Sequence, residues 1–280
     1  MVIVSGEEAA FAARHGDGGE DVGHLVEQHL TWETSNLSSI RRTVTAAREN
    51  ARSIREVISL EVWEAINELY LWLGSDDAHD AYITTRYAFY KRIRSGVRLV
   101  AGLLRSTMLH EAPLNFIWLG MLLERGGQTA RVLDVHHHVL TERERTHEVA
   151  EAALWLAVLR ACSGMEPFLK RRHGAITGDA VTAFLLFDVA FPQSVIYCVR
   201  EARRRFAVIR PPGEPDLPGF ATMTRLSMLD GWITSSAPTR AAANVHAYCT
   251  HVVQELQAIC AGLGAELFGY APVVVAESPQ

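Results

Sequence analysis

The first 112 residues contain no proline, and all ten prolines of the 280-residue chain lie at or beyond Pro113. Because proline interrupts both helices and sheets, apolar spacing alone decides what this segment forms. Its apolar residues recur three and four positions apart, and no alternation of apolar and polar residues lasts long enough to build a sheet. The clearest stripe consists of Ile40, Val44, Ala47, Ala51, Ile54 and Ile58. We therefore predict an all-α helical bundle of about eight to ten helices.

Small polar residues and prolines indicate where these helices begin. The candidate starts are Asn36 with Ser38, Ser59, Pro113, Thr177 with Asp179, and Pro192. Two long helices are predicted over residues 79–108 and 149–172, and another from residue 239 to 263. A charged break is predicted over residues 142–147, and the proline- and glycine-rich stretch 210–219 is typical of a surface loop.

One passage occurs twice in the chain. Phe11 with Arg14-His15-Gly16 is followed 157 to 158 positions later by Phe168 with Arg172-His173-Gly174. Further matches pair Val26 with Val181, Leu30 with Leu185, Trp32-Glu33 with Phe187-Asp188, Ser39-Ile40 with Ser194-Val195, and Ala47-Arg48 with Ala202-Arg203. A period near 155 residues indicates a duplicated unit of domain size. We interpret residues 1–112 as the C-terminal part of a first unit, residues 113–272 as a second unit, and residues 273–280 as a tail.

The composition of the chain argues against several classes of function. A net charge of −5 gives no general attraction to nucleic acid or to anionic membranes, and neither is expected as a partner. Only Lys91 and Lys170 are lysines, and no phosphate-binding P-loop motif occurs. The four cysteines lack a C-x-x-C pair, which favours reduced, buried thiols, and the start of the chain reads as too short for a signal peptide. We expect a cytoplasmic protein.

The first candidate site is a charged stretch around Gly126-Gly127. Glu124 and Arg131 share one stripe of a helix, with Arg125 on one side of it and Asp134 on the other. Because glycine in mid-helix costs stability, the pair of glycines indicates close approach of another helix or of a ligand. Two interpretations stay open: interhelical ion pairs that fix the bundle, or a site that binds an anion or a partner.

The second candidate site lies in the sequence Ala47-Arg48-Glu49-Asn50-Ala51-Arg52. Arg52 is four residues from both Arg48 and Glu56, which predicts an ion pair with Glu56. The alternatives are a solvated helix flank and an arginine-lined site for carboxylate or phosphate. Arg48, Glu49, Asn50 and Arg52 are the candidate residues.

Metal binding is not predicted. His136-His137-His138 would point 100° apart from one another on a helix, so the three cannot reach one ion. Glu144 and His147 have E-x-x-H spacing, but a di-iron bundle needs that motif twice. The sequence also has no G-x-S-x-G motif for a serine nucleophile. Catalytic residues therefore stay unassigned.

Several blocks in order resemble the bacterial alpha-E domain family, an all-helical family named for a Glu-Arg motif. They are Ala47-Arg48-Glu49-Asn50-Ala51-Arg52, Trp63-Glu64, Asn67, Leu69-Tyr70, Leu119-Gly120, Leu123-Glu124-Arg125, Thr129-Ala130-Arg131, Leu133-Asp134, Phe184-Leu-Leu-Phe-Asp188 and Pro192-Gln-Ser-Val195. The resemblance covers roughly residues 5 to 270. The family pattern begins with an additional Glu-Arg helix that has no counterpart here, so we expect a missing first helix whose place another chain fills.

The resemblance implies that this chain acts with a partner protein, and it does not imply a catalytic activity for the chain itself. Members are usually encoded beside, or fused to, a circularly permuted ATP-grasp ligase-like protein, often with a transglutaminase-like protease nearby. We therefore expect an accessory or substrate-binding partner of a peptide or amide ligase, with no cofactor bound by this chain and with ATP and magnesium entering only through the partner. The alternatives are an enzyme, a ligase or transferase, built on the two candidate sites, and a structural module that forms a homodimer.

Overall fold

The computed structural model describes residues 8–16, 21–142, 148–171, 176–211, 217–235, 241 and 244–270. These residues form 13 helices and no strand, which confirms the all-α prediction and exceeds the predicted eight to ten helices. The helices are α1 (Glu8–His15), α2 (Val22–Thr31), α3 (Ile40–Ser53), α4 (Leu60–Leu73), α5 (Asp76–Thr84), α6 (Arg86–Thr107), α7 (Ala112–Glu142), α8 (Glu148–Ala161), α9 (Met165–Arg171), α10 (Gly178–Phe187), α11 (Val195–Ile209), α12 (Phe220–Ser235) and α13 (Val245–Phe268).

The number of helices is higher than predicted because two long stripes are broken. Thr85 (φ −142°, ψ 62°) ends α5 and starts α6, so residues 79–108 are not one helix. Ser163 has a φ of 52° and separates α8 from α9, so residues 149–172 are not one helix either. At Gly164 a β-carbon would lie 3.1 Å from the ring of Phe191. Apolar spacing continues through both bends, so it does not reveal them.

The chain divides into two compact units, Met1–Leu114 and Asn115–Gln280. Unit 1 contains α1 to α6, and its core surrounds Phe89, whose side chain is fully buried. The rings of Trp32, Trp72 and Tyr82 lie 5.4–5.6 Å from that of Phe89, in tilted and edge-on contacts typical of aromatic cores. These contacts join α5 and α6 to the end of α4 and to the residue after α2.

Unit 2 contains the rest of α7 and α8 to α13, and it has the larger apolar core. Phe168, Leu185 and Phe206 are fully buried at its centre, one from each of α9, α10 and α11. Helix α12 packs between α11 and α13. This arrangement places one face of α12 beside the arginines of α11 and another beside α13.

The two copies of the repeated passage begin their longest shared helix in the same way. Ser39 and Ser194 both have φ −68° and ψ 150°, and each Oγ accepts a hydrogen bond of 3.1 Å from the amide three residues later. The preceding helices α2 and α10 are ten residues long in both copies. These similarities support the duplication, which stays a prediction, and the second Arg-His-Gly, residues 172–174, lies outside the described residues.

These caps correct two predicted helix starts. Asn36 is not a cap: it donates from Nδ2 to His29 O (3.0 Å) and accepts from Ser38 N (2.8 Å), so it shapes the turn before Ser39. Pro192 is not the first residue of a helix, because α11 starts at Val195. The predicted caps Ser59 and Thr177 are confirmed, since each accepts a hydrogen bond from the amide three residues later (3.3 Å).

Some predicted features lie outside the described residues. They are most of the charged break (143–147), the centre of the loop (212–216), the start predicted at Thr239, and the tail at 273–280. At the described edge of the loop, Arg210 donates from Nε to Pro218 O (2.9 Å) and from Nη2 to Leu217 O (3.1 Å). Arg210 therefore joins the two ends of the loop.

Helix α12 receives its N-terminal cap from a distant residue. Glu266 on α13 accepts hydrogen bonds from Ala221 N (3.2 Å) and Thr222 N (3.0 Å), and Thr222 Oγ1 donates to it as well (2.5 Å). The amides of a first helical turn have no partner within the helix, and a carboxylate beside them is favourable. Glu266 thus ties the start of α12 to the last turns of α13.

Among the described residues, no single helix has the length and apolar content needed to cross a membrane, although the bent pair Glu151–Ala161 and Met165–Arg171 meets that criterion when the two are taken together.

Candidate functional site

Helix α7 runs without interruption through Gly126-Gly127. A β-carbon on Gly126 would lie 3.3 Å from Cys198 Cβ on α11 and 3.5 Å from Leu256 Cδ1 on α13. At Gly127 the nearest atom would be Nη2 of Arg131, at 3.5 Å. The predicted close approach is therefore helix packing, and Gly126 is the residue that permits it.

Glu124 faces solvent, as its side chain is 66% exposed. Its Oε1 accepts a hydrogen bond from Gln128 Nε2 (2.7 Å) and lies 3.5 Å from Nη2 of Arg131. This confirms that Glu124 and Arg131 share one stripe. Arg131 is partly buried, and its Nε has no hydrogen-bond partner among the described residues. The ion pair lies within α7 rather than between helices.

Arg125 is half-buried and contacts the turn before α11. Its Nη1 donates to Pro192 O (3.4 Å), and Cys198 Sγ donates to the same oxygen (3.6 Å). One turn along α7, Thr129 Oγ1 donates to Gln193 O (2.9 Å). Together these donors hold the turn that leads into the cap of α11. The two residues of the Glu-Arg pair therefore differ in their surroundings: Arg125 contacts another part of the fold, whereas Glu124 is exposed to solvent.

Asp134 is separate from this cluster. Its Oδ1 lies 2.8 Å from Nδ1 of His246 at the start of α13, so it links α7 to α13. Burial raises the pKa of the Cys249 thiol, and the nearby Asp134 carboxylate raises it further. Burial also raises the pKa of the Cys198 thiol to about 12, against a smaller lowering by Arg125. Neither thiol is a nucleophile at neutral pH, since the thiolate is the reactive form.

In unit 1, Glu49 pairs with two arginines. Its Oε1 is 2.5 Å from Nη1 of Arg48, and its Oε2 is 2.8 Å from Nη2 of Arg52. The predicted pair of Arg52 with Glu56 is wrong, because α3 ends at Ser53 and Glu56 lies beyond it. Asn50 is exposed, and its carbonyl accepts a hydrogen bond from Ser53 Oγ (2.8 Å).

Arg48 is the best-covered residue of this patch. Its Nε donates to Asn67 Oδ1 (3.2 Å) on α4, and its guanidinium carbon lies 4.8 Å from the ring centre of Tyr70 and 5.7 Å from that of Trp63. Stacking on aromatic rings stabilises a guanidinium while it covers the donor groups. The Arg48 patch and the Glu124 helix therefore each satisfy their charges within their own unit.

The described residues contain no group of three His, Cys, Asp or Glu side chains placed to hold a metal ion. His136 Nδ1 lies 2.8 Å from Val132 O of its own helix. The side chain of His138 and the whole of residues 144–147 lie outside the described part.

The all-helical fold agrees with the protein family that the chain matches. The model of Alpha-E, a predicted alpha-helical domain with a conserved ER motif, matches residues 1–268. The chain belongs to the Alpha-E family. Uncharacterized proteins of Mycobacterium bovis and Mycobacterium tuberculosis are each 24% identical to this Alpha-E chain over 255 residues, or 88% of it.

The Alpha-E chain spans only 27% of the length of these relatives. No solved structure matches it.

Two further features of the Alpha-E fold were not predicted from the sequence. The first is a groove of about 710 Å³ between α12 and α13, lined by Phe220, Met228, Trp232 and His251. At its edge Arg225 and Glu255 form a two-point ion pair of 2.8 and 3.1 Å. Apolar grooves of this size with few polar groups are typical of ligand sites.

The second feature is a cluster of arginines on α11 around Asp230 of α12. Nε of Arg200 lies 3.1 Å from Oδ1 of Asp230, and Nη2 of Arg203 lies 3.2 Å from Oδ2. The repeat contained a signal for this cluster, because Arg203 is the counterpart of Arg48. That signal identifies one arginine but not the aspartate, which is 27 residues further along the chain.

Proposed function

We propose that this Alpha-E chain is a non-catalytic helical partner that helps an ATP-grasp-type peptide or amide ligase bind its substrate, in the bacterial cytoplasm where ATP is supplied. The observation that supports the proposal best is that Glu124 and Arg125 have different surroundings. Arg125 is half-buried and donates to Pro192 O, whereas Glu124 presents its carboxylate to solvent from the continuous helix α7. An exposed carboxylate can pair with a cation of another protein, which favours the correct orientation and partner more than it raises affinity.

The lengths of the relatives support a modular role. In the mycobacterial relatives the matching region is 27% of a much longer chain, so there the Alpha-E region is one part of a larger polypeptide. We infer that this Alpha-E chain also works together with further domains, whether on the same chain or on a separate one.

The α12–α13 groove supports the substrate-binding part of the proposal. Its walls carry exposed apolar side chains, with Met228 69% and Phe220 46% exposed, beside the Arg225–Glu255 ion pair. Such a mixture suits a peptide with both apolar and charged groups. In this proposal ATP and magnesium belong to the partner.

Co-purification with the ATP-grasp protein tests the contact at Glu124. Glu124→Gln keeps the size of the side chain and removes its charge, so we expect nearly unchanged melting and weaker complex formation. Glu68→Gln, at an exposed site in unit 1, is the matched control and should bind like the parent protein. Equal binding by the Glu124→Gln variant would refute a role for this carboxylate.

Arg125→Ala tests the structural half of the pair. Loss of the Pro192 contact should lower the melting temperature, while Arg125→Lys should keep part of the stability because it retains a donor. Normal melting of Arg125→Ala with loss of product in the reconstituted pair would instead indicate a direct role in the reaction. Turnover of ATP and an amino acid by the purified chain alone would refute the proposal of a non-catalytic partner.

A further inference from the structure

We propose that the groove between α11 and α12 in unit 2 binds a phosphate group of a small molecule. The groove holds about 550 Å³ and is lined by the arginines of α11 and by small polar residues of α12. Its walls include Arg200, Arg203 and Arg204 of α11 and Ser227, Gly231 and Thr234 of α12. This site shares no residue with the Glu124 and Arg48 patches, and it does not depend on a ligase partner.

The groove contains more positive charge than the fold requires. Asp230 is nearly buried, with a side chain 10% exposed, and it needs a cation nearby. Arg200 meets that need, since its Nε binds Asp230 and its Nη2 donates to Thr234 Oγ1 (3.0 Å). Arg203 adds a second guanidinium to the same carboxylate, at 3.2 Å. One carboxylate thus faces two permanent positive charges.

Arg203 retains donors for a ligand. In the described part of the chain its one polar contact is the ion pair through Nη2, so Nε and Nη1 have no acceptor there. Its side chain is 45% exposed and lines the groove. Arg204, next to it, pairs with Glu201. Three arginines and two carboxylates leave one net positive charge in a chain whose net charge is −5.

Comparison with unit 1 shows what opens the groove. There the counterpart of Arg203 is Arg48, which is covered by Trp63 and Tyr70 of α4 and bound to Asn67. In unit 2, Ser227, Gly231 and Thr234 of α12 line the groove beside the arginines, with the same spacing of four and three residues. Small residues therefore line the groove beside Arg203, whereas two aromatic rings and an amide cover Arg48 in unit 1.

The space above Gly231 is empty, because a β-carbon there would meet no atom within 4 Å. Guanidinium groups bind phosphate oxygens through paired, charge-assisted hydrogen bonds, and the hydroxyl of Ser227 is a further donor at the same site, whereas that of Thr234 already donates to Asp230 O (2.7 Å). A phosphate carries more charge than a carboxylate, so it competes better with Asp230 for the two arginines. These features together favour phosphate over a neutral or singly charged ligand.

Calorimetric titration of the full chain with inorganic phosphate, in a buffer without oxyanions and at constant ionic strength, tests this assignment. We expect saturable binding to the parent protein and a loss of affinity of about tenfold or more for Arg203→Gln, since a hydrogen bond to a charged group is removed. Arg98→Gln, at an exposed position of α6 in unit 1, is the matched control and should bind phosphate like the parent protein.

A second variant separates binding from folding. Gly231→Leu fills the groove and leaves every arginine in place, and replacing a helical glycine favours the helix, so the variant should fold and lose phosphate binding. Absence of binding to the parent protein up to ~10 mM phosphate would overturn the proposal. It would also be overturned if Arg203→Gln and Gly231→Leu each bound phosphate as tightly as the parent protein does. Acetate that binds as tightly as phosphate would overturn the assignment of the ligand as a phosphate.

Discussion

The two neighbouring glycines of α7 give a sharp test of how unit 2 is packed. Alanine in a helix interior is more stable than glycine by about 1 kcal/mol, and both positions gain this term. Only Gly126 has a rigid neighbour. A β-carbon there would lie 3.3 Å from Cys198 Cβ, an atom that moves only with the backbone of α11.

The steric cost should therefore decide whether Gly126→Ala raises or lowers the free energy of unfolding. Forcing one extra carbon into a packed interior costs about 1–3 kcal/mol. We expect Gly126→Ala to range from neutral to destabilising by about 2 kcal/mol, after subtracting the helix gain. At Gly127 the nearest atom would be the mobile end of Arg131, at 3.5 Å, so Gly127→Ala should stabilise by up to about 1 kcal/mol.

Thermal melting, together with hydrogen exchange of the α7 and α11 amides, measures this difference. For a unit of this size, about 1 kcal/mol corresponds to a shift of about 2–4 °C. Gly231→Ala is the control, because its new β-carbon would meet no atom within 4 Å and only the helix gain applies. If Gly126→Ala stabilises the protein as much as the two other variants do, α11 does not pack against α7 at this point.

Three further predictions follow from caps, charges and thiols. Ser194→Ala removes a buried cap and should cost about 1–2 kcal/mol in urea unfolding, more than Ser59→Ala, whose cap is partly exposed; equal costs would contradict this. The hydrogen bond from Arg225 holds the pKa of Glu255 below its ordinary value of 4.5, so the ion pair stabilises the fold fully above pH 4.5 and less as the pH falls further. The melting temperature of Glu255→Gln should therefore depend less on pH in that range than the melting temperature of the parent protein does. The same pH dependence in both proteins would contradict the pairing. Cys260 is the exposed thiol, so a thiol reagent should modify one cysteine first, and Cys260→Ser should abolish that phase; persistence of the phase would place a second thiol at the surface.

The sequence predicts the helices well where a local signal exists. Ser59 and Thr177 are caps in sequence and in structure, because a hydroxyl three residues before a free amide needs no tertiary contact. Thr85 and Ser163 end helices that the apolar stripe continues, because those bends are set by packing. The sequence does not single out Ser39 as the cap, because Asn36 is equally suitable by residue type. Only the structure shows that Asn36 bonds to His29 O in the preceding helix and is therefore not the cap.

The candidate site was predicted only in part. The stripe shared by Glu124 and Arg131 follows from helix geometry, and it is confirmed. The contact of Arg125 with Pro192 O joins residues 67 positions apart, so no local pattern contains it. Arg48 was identified by its charge, but its cover of Trp63 and Tyr70 depends on how α4 packs on α3.

The cap that Glu266 gives to α12 has a consequence for the order of folding. The chain is synthesised from its N-terminus, so α12 leaves the ribosome before Glu266 does, and the first amides of α12 wait for an acceptor that is 44 to 45 positions downstream. Closing such a long loop costs chain entropy before the hydrogen bonds form. The nascent α12 should therefore stay frayed at its start, and unit 2 should reach its final stability only after α13 has docked.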